Sequence, residues 1–399
     1  MLNSLYLAWK YLTFNKLKTT ILISCITLVG SLPISLNLFL AESEQELMKR
    51  AISTPLLVGA KGSDLDLTIN SLYFTSQPPE KIGMSEVIKI QNTKFATPIP
   101  IYSQFKARNY PIIGTSLDYF QFRELNLQQG RYFSILGESV IGASIAQKLG
   151  LKVGDSIVSS PQNLFDLGGV YPLKMKVVGI LESNQTSDDS TIFVDLKTTW
   201  IIEGLGHGHL DLVKSGTPDV ILKQDEGNVA ANAKLPEYNE ITSENLDSFH
   251  FHGNKNDFPL TAIIAIPETQ KSEALLRGIY QAETSTHQIV KSTQIIEELF
   301  LEVFKIRKIL NAIFGLVILT TLIAIILIFN LSLRLRQREI TTSFFLGCSR
   351  SKIAQLITAE ILIIVLISTS LTGVIAVGLK NLNSQAFRTL ISNESNNKL

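Results

Sequence analysis

Four of the five histidines fall in two pairs with a single residue between them, His207 with His209 and His250 with His252. Residues two apart in an extended chain project from the same face, so each pair can present two imidazoles to one ion. If the pairs meet, four ring nitrogens form a ligand set suited to zinc. The competing reading is a group of solvated histidines in a stretch dense in Gly, Asn, Asp and Lys, because a short His-rich tract is a compositional signal only. Glu360 is the other residue with chemistry to offer. It lies inside an apolar run, where an ionisable group marks function by default. Its place near one end of that run favours a structural role, pairing with a basic residue such as Lys352 or capping backbone. No proton path is assigned to it.

Nothing else assembles into a reaction centre. There is no phosphate-cradling GxxxxGKS or GxxxxGKT, and the nearest stretch, Gly59-Ala60-Lys61-Gly62, lacks the spacing. GxSxG, HExxH and CxxC are also missing from the sequence. Asp188 and Asp189 are expected to cap or solvate a turn. The chain is therefore expected not to be an enzyme itself. A formal net charge of +1 gives no support for nucleic-acid binding. Cys25 and Cys348 lie outside residues 42–308, so no internal disulfide staples that region.

The elements that position these residues are set by three apolar blocks, the source of a mean hydropathy of +0.23. Residues 19–41, 309–333 and 355–379 are each uncharged apart from Glu360 in the third, and each is about the ~20 residues that a spanning helix requires. Residues 1–18 carry Lys10, Lys16 and Lys18 with no acid, and Leu2, Leu5, Tyr6, Trp9 and Leu12 recur at helical spacing. This predicts a helix lying in the membrane surface. The first span is too long for a signal-peptide core and is read as an uncleaved anchor, kinked at Pro33. Basic residues before it and Glu42, Glu44 and Glu46 after it place the N-terminus in the cytoplasm and residues 42–308 outside. The loop 334–354 then returns to the cytoplasm with Arg334, Arg336, Arg338, Arg350 and Lys352 against the single acid Glu339. Lys305, Arg307 and Lys308 oppose this orientation and are expected to snorkel to headgroups.

Within residues 42–308, alternation and β-branched residues predict strands near 56–58, 99–103, 110–113, 139–141, 156–159, 174–181, 191–194 and 260–266. Helices are expected at 144–149, ending at Gly150, at 271–281, and from about 293 into the second span. Residues 207–257 read as an inserted lobe or long loop. The fold class is thus a multi-span α-helical membrane protein with an inserted α+β extracytoplasmic domain on a helical stalk, followed by a polar external tail at 380–399.

Residues 336–360, RQREITTSFFLGCSRSKIAQLITAE, closely resemble the cytoplasmic loop of the FtsX/MacB-type ABC transporter permeases. The matching features are Arg336 and Arg338 with Glu339-Ile340, Leu346-Gly347, Ser349-Arg350 and Glu360. AWKYLTFNKLKTTILISCITL resembles the family's approach to its first span. LVGAKGSDLDLTINSLYF, GRYF, SVIGASIAQKLGLKVGD and VVGIL are similar to its MacB-like periplasmic domain. The resemblance implies a permease subunit of the bacterial cytoplasmic membrane that pairs with a second permease copy and binds a separate ABC ATPase. A periplasmic partner is a further expectation. Arg336, Arg338, Glu339, Ile340, Leu346, Gly347 and Arg350 would form the coupling helix that docks on the ATPase. ATP would be used by that partner, with no cofactor bound directly and zinc admitted only through the histidines. The family usually has four spans and this sequence shows three, which reads as a truncated permease or a three-span variant. The alternative function is a membrane-anchored extracytoplasmic sensor or adaptor, metal-binding through the histidines, without transport.

Overall fold

The computed structural model describes residues 2–74, 77–161, 172–208, 221–225, 228–231, 239–281 and 286–393. In chain order the helices are α1 (Leu2–Phe14), α2 (Lys16–Ile52), α3 (Asp64–Tyr73), α4 (Ser85–Thr93), α5 (Asp118–Phe122), α6 (Ala143–Leu149), α7 (Leu196–Ile202), α8 (Gln270–Tyr280), α9 (Ser292–Leu335), α10 (Gln337–Phe345) and α11 (Arg350–Asn393). Two units are distinguished, Met1–Glu46 with Leu299–Phe387, and Leu47–Glu298.

In the first unit, α2, α9 and α11 are long and apolar enough to cross a membrane, α11 over Arg350–Leu379. The spans expected at 19–41, 309–333 and 355–379 lie within them. Their apolar side chains are left uncovered: Leu28, Leu316, Leu327 and Val374 are 61–68% exposed. A helix apolar on all sides and uncovered is matched to lipid rather than to water. α2 and α11 meet through small and hydroxyl residues, as membrane helices do when backbones approach closely. Thr372 Oγ1 donates to the Thr27 carbonyl at 3.4 Å, and a Cβ on Gly30 would lie 3.6 Å from the Thr372 hydroxyl. Arg307, expected to snorkel to headgroups, instead donates to Asn37 Oδ1 at 2.5 Å. α11 continues through Asn393, beyond residue 379.

The second unit is built on one mixed sheet. Its strands are β1 (Leu56–Ala60), β3 (Ala96–Ala107), β4 (Tyr110–Thr115), β5 (Leu127–Gly130), β6 (Glu138–Ile141), β7 (Ser156–Val158), β8 (Leu173–Leu181), β9 (Ile192–Asp195), β13 (Asn239–Glu240), β16 (Ala262–Pro267) and β17 (His287–Lys291). Shorter pairs lie off it: β2 (Ile82–Gly83) with β15 (Pro259–Leu260), β10 (Gly206–His207) with β14 (His250–Phe251), and β11 (Ile221–Asp225) with β12 (Asn228–Ala231). The order across the sheet is β13-β8-β6-β9-β4-β3-β16-β1-β17, with β5 and β7 also on β8. Tyr102, Tyr119 and Phe193 are the largest side chains fully enclosed in its core. This is the expected α+β arrangement. Each expected strand is present, and α6 ends at Gly150 in the left-handed region at φ 66°.

Four short helices, α3, α4, α5 and α7, were not expected. The strand expected at 191–194 is β9, and Asp195 ends it and caps α7, its carboxylate accepting from the Lys197 N–H at 2.9 Å. Part of the expected lobe joins the main sheet, since β13 pairs parallel with β8. Most relevant to function, β1 and β17 are antiparallel neighbours with Leu56 opposite Lys291. β1 follows α2, and α9 follows β17, so both helical connections reach this domain at one end of one strand pair.

Candidate functional site

The expected coupling loop folds as a helical hairpin within the first unit. α9 stops at Arg336, α10 runs to Phe345, and the chain reverses at Leu346-Gly347. The reversal is a Schellman cap: the Cys348 N–H donates to the Ser343 carbonyl at 3.0 Å and the Gly347 N–H to the Phe344 carbonyl at 2.9 Å. Gly347 has φ 90°, a conformation that side chains with a Cβ resist. The cap therefore explains the Leu-Gly dipeptide. It also turns the apolar end of α10 outward, with Phe345 and Leu346 87% and 83% exposed. Arg338 and Arg350 are exposed beside them, Ile340 is half-buried, and Glu339 falls within α10.

Arg336 behaves differently from the other arginines. Its guanidinium donates to Glu360 Oε1 at 3.1 Å and lies 3.6 Å above the Tyr11 ring centroid. Glu360 is buried. Its basic partner is thus Arg336, at the end of α9, rather than Lys352. Lys18 donates to Ser332 and stands over the rings of Tyr11 and Phe329. Together these side chains brace α1, α2, α9 and α11 below the exposed knob.

In the second unit, the structure brings three of the four paired histidines together; His209 lies outside the described residues. His207 and His250 are opposite one another in the β10–β14 ladder. The His252 N–H continues that ladder to the Leu205 carbonyl at 2.9 Å. Ring centroids are 4.9 Å apart for His207 and His250, 4.8 Å for His207 and His252, and 4.7 Å for His250 and His252. His252 also lines a cleft of about 490 Å³ with Lys81, Glu203 and Asp257.

One buried charged cluster gave no signal in the sequence. Asp188, expected at a solvated turn, is buried and receives both terminal nitrogens of Arg50, at 2.7 and 2.9 Å. The Tyr119 hydroxyl donates to the same carboxylate at 2.9 Å. Burial alone would raise the Asp188 carboxyl, but the Arg50 charge and its hydrogen bonds overcome that and hold it below the ordinary value. Burial, then the Asp188 charge, push the Tyr119 phenol up to about 12. Arg123 donates to the Ser53 and Thr54 hydroxyls at 2.8 and 2.7 Å, and the Tyr73 hydroxyl to the Leu47 carbonyl at 2.9 Å. The last turn of α2 is therefore gripped by the domain on several sides. Asp189 does hold a turn, accepting from the backbone N–H groups of Asn184 and Gln185, both at 3.0 Å.

A mixed-sheet domain that takes up two apolar helices at one strand pair, together with a helical hairpin between apolar helices, defines a membrane subunit with an inserted domain. The chain belongs to the family of the MacB-like periplasmic core domain, which it matches over residues 36–235. That family is one of ABC-type transporter membrane subunits. Among solved structures, the chain is similar to the periplasmic region of MacB from Actinobacillus actinomycetemcomitans, with 10% identity over 62% of this chain and 92% of that one and a TM-score of 0.33. It is also similar to the extracellular domain of the noncanonic ABC-type transporter YknZ from Gram-positive bacteria, with 13% identity over 59% and 98% of the two chains and a TM-score of 0.30. No curated protein matches the chain.

Proposed function

We propose that this chain is the permease subunit of an ABC-type transporter or mechanotransmission complex. A separate ATPase docks on α10, and ATP binding and hydrolysis there move the extracytoplasmic domain through α2 and α9. The N-terminus, α10 and its flanking arginines face the cytoplasm of a bacterial cell, the second unit lies outside the cytoplasmic membrane, and a second permease copy completes the assembly. The observation that carries this reading is the exposed Phe345–Leu346 knob, fixed by a Schellman cap and flanked by Arg338 and Arg350. An apolar knob entering a groove contributes about 1.5–3 kcal/mol per large side chain, and the arginines supply orientation and rate of encounter.

The test is capture, from native membranes by the full-length chain, of an ATPase carrying GxxxxGKS or GxxxxGKT. Leu346→Asp is expected to lower recovery at least about tenfold, the equivalent of ~1.4 kcal/mol. Gly347→Pro should do the same, because φ 90° is closed to proline. An ATPase that stays bound to both variants would refute docking at this hairpin.

A further inference from the structure

We infer that His207, His250 and His252 form a binding site for a divalent transition-metal ion of the zinc class on the outward face of the β10–β14 ladder. The sequence around the ladder alternates Phe249-His250-Phe251-His252 against Gly206-His207-Gly208. Alternation sends the two kinds of side chain to opposite faces. The Phe251 ring packs on Trp200 and Phe258, with centroids 6.3 and 5.9 Å away, and so ties one face to the core. Gly206 and Gly208 make room on that face: a Cβ at Gly206 would stand 2.7 Å from the Phe251 ring, and one at Gly208 2.6 Å from the Phe249 ring. The imidazoles are thereby held on the other face, two directly across the ladder and the third diagonal to His207.

The spacing fits an ion. One nitrogen from each ring lies within 4.8 Å of the others. Around a tetrahedral ion with metal–nitrogen bonds of about 2.0–2.1 Å, ligand nitrogens stand roughly 3.3 Å apart and ring centroids roughly 5 Å apart. The observed centroid spacings of 4.7–4.9 Å are close to that value, and side-chain rotation must bring the nitrogens from within 4.8 Å of one another to about 3.3 Å. The tautomer of His250 is set as well. Its Nδ1 is 3.1 Å from the Ser248 carbonyl, which can only accept, so Nδ1 carries the proton and the lone pair is on Nε2. An imidazole that donates one N–H to a backbone carbonyl while offering its other nitrogen is the usual arrangement of a metal-bound histidine. Neutral nitrogen donors select zinc, copper or nickel over calcium and magnesium, which require oxygen. Three imidazoles leave a fourth position open to water or another ligand. With His207 and His252 exposed, the ion exchanges with the medium and is not a structural staple.

The site stands apart from the permease reading and does not need it. The test is titration of the purified, tag-free full-length chain with Zn2+ in competition with a chromophoric chelator, paired with the visible d–d spectrum of bound Co2+. One ion per chain is expected, with the intense bands of four-coordinate Co2+, and Mg2+ in excess should not displace it. His207→Ala and His252→Ala, both at exposed positions, should each weaken Zn2+ binding at least about tenfold. The triple variant with His250→Ala should abolish the Co2+ bands. Absence of stoichiometric Zn2+ binding, or affinity unchanged in the His207→Ala and His252→Ala chains, would overturn the site.

Discussion

Removing one partner of the Arg50–Asp188 pair is expected to loosen the attachment of α2 to the extracytoplasmic domain. Both side chains are buried, 8% and 1% exposed, and their two-pronged contact is shared with Tyr119. Asp188→Leu leaves a guanidinium without its counter-charge and a phenol without its acceptor. Breaking a buried pair in this way costs about 3–5 kcal/mol, which for a domain of this size lowers Tm by roughly 6–20 °C. Arg50→Met should cost a similar amount by stranding the carboxylate. The Arg50→Met/Asp188→Leu double variant should cost less than either single change, because two apolar side chains can replace a buried pair almost neutrally. The coupling energy should reach at least about 2 kcal/mol. The assay is thermal and urea unfolding of the full-length chain, with hydrogen exchange of residues 47–52 reporting the local effect. The dependence on pH supplies a sign. A carboxylate held below its unfolded value of about 3.9 adds stability that is complete above that value and is lost as pH falls through the folded one. The gap between wild type and Asp188→Leu should thus be flat above about pH 5 and narrow below about pH 4. A double variant that costs the sum of the singles, or a gap that widens in acid, would show that the pair does not hold the stalk.

Gly142→Ala should reach the same clamp from the other side, since its Cβ would lie 2.3 Å from the carbonyl oxygens of both Asp188 and Asp189; a loss of about 2–3 kcal/mol in urea unfolding is expected. Gly150→Ala is the contrast: nothing lies within 4 Å, so only the strain of φ 66° remains and the cost should be about 1 kcal/mol. In the first unit, Glu360→Gln leaves Arg336 without its counter-charge above the Tyr11 ring and should lower the melting temperature in detergent, whereas Arg336→Met/Glu360→Met should restore most of it.

What could be read from the sequence followed local periodicity. β8, β4 and the three long apolar helices carry unbroken patterns, and Gly150 marks a helix end by chemistry alone. α4 was hidden because Val87 and Ile90 are its only buried apolar side chains, in a segment otherwise polar. α7 was hidden because Thr198, Thr199, Ile201 and Ile202 favour extended chain, and the Asp195 cap with burial against β4 and β3 decides for helix. The site residues divide in the same way. Leu346-Gly347 is a local signal, and the structure gives it a physical cause. That His207 meets His250 and His252 depends on pairing residues 206–207 with 250–251, and the grip on Arg50 depends on a residue 138 positions away. Contacts of that range leave no periodic trace in either segment.

The placement of the clamp beside the strand pair bears on how the domain is held at one end. Leu56 and Lys291 are Cα partners, a separation of roughly 5 Å in an antiparallel ladder. Helices that reach the domain so close together cannot move apart there without breaking ladder hydrogen bonds. On the proposed function, a displacement delivered along either one would be passed to β1 and β17 as a unit, and from β1 to β16 and β3 across the sheet. Arg50, Asp188 and Arg123 would then keep the last turn of α2 from absorbing that displacement by fraying. A packed interior of low compressibility transmits what it receives, and a firm joint is what a mechanical subunit needs where the helix enters. A mere membrane tether would function with a loose one. Loss of ATPase-driven change in the outer domain on Asp188→Leu, with docking at Leu346 intact, is the outcome that distinguishes the two.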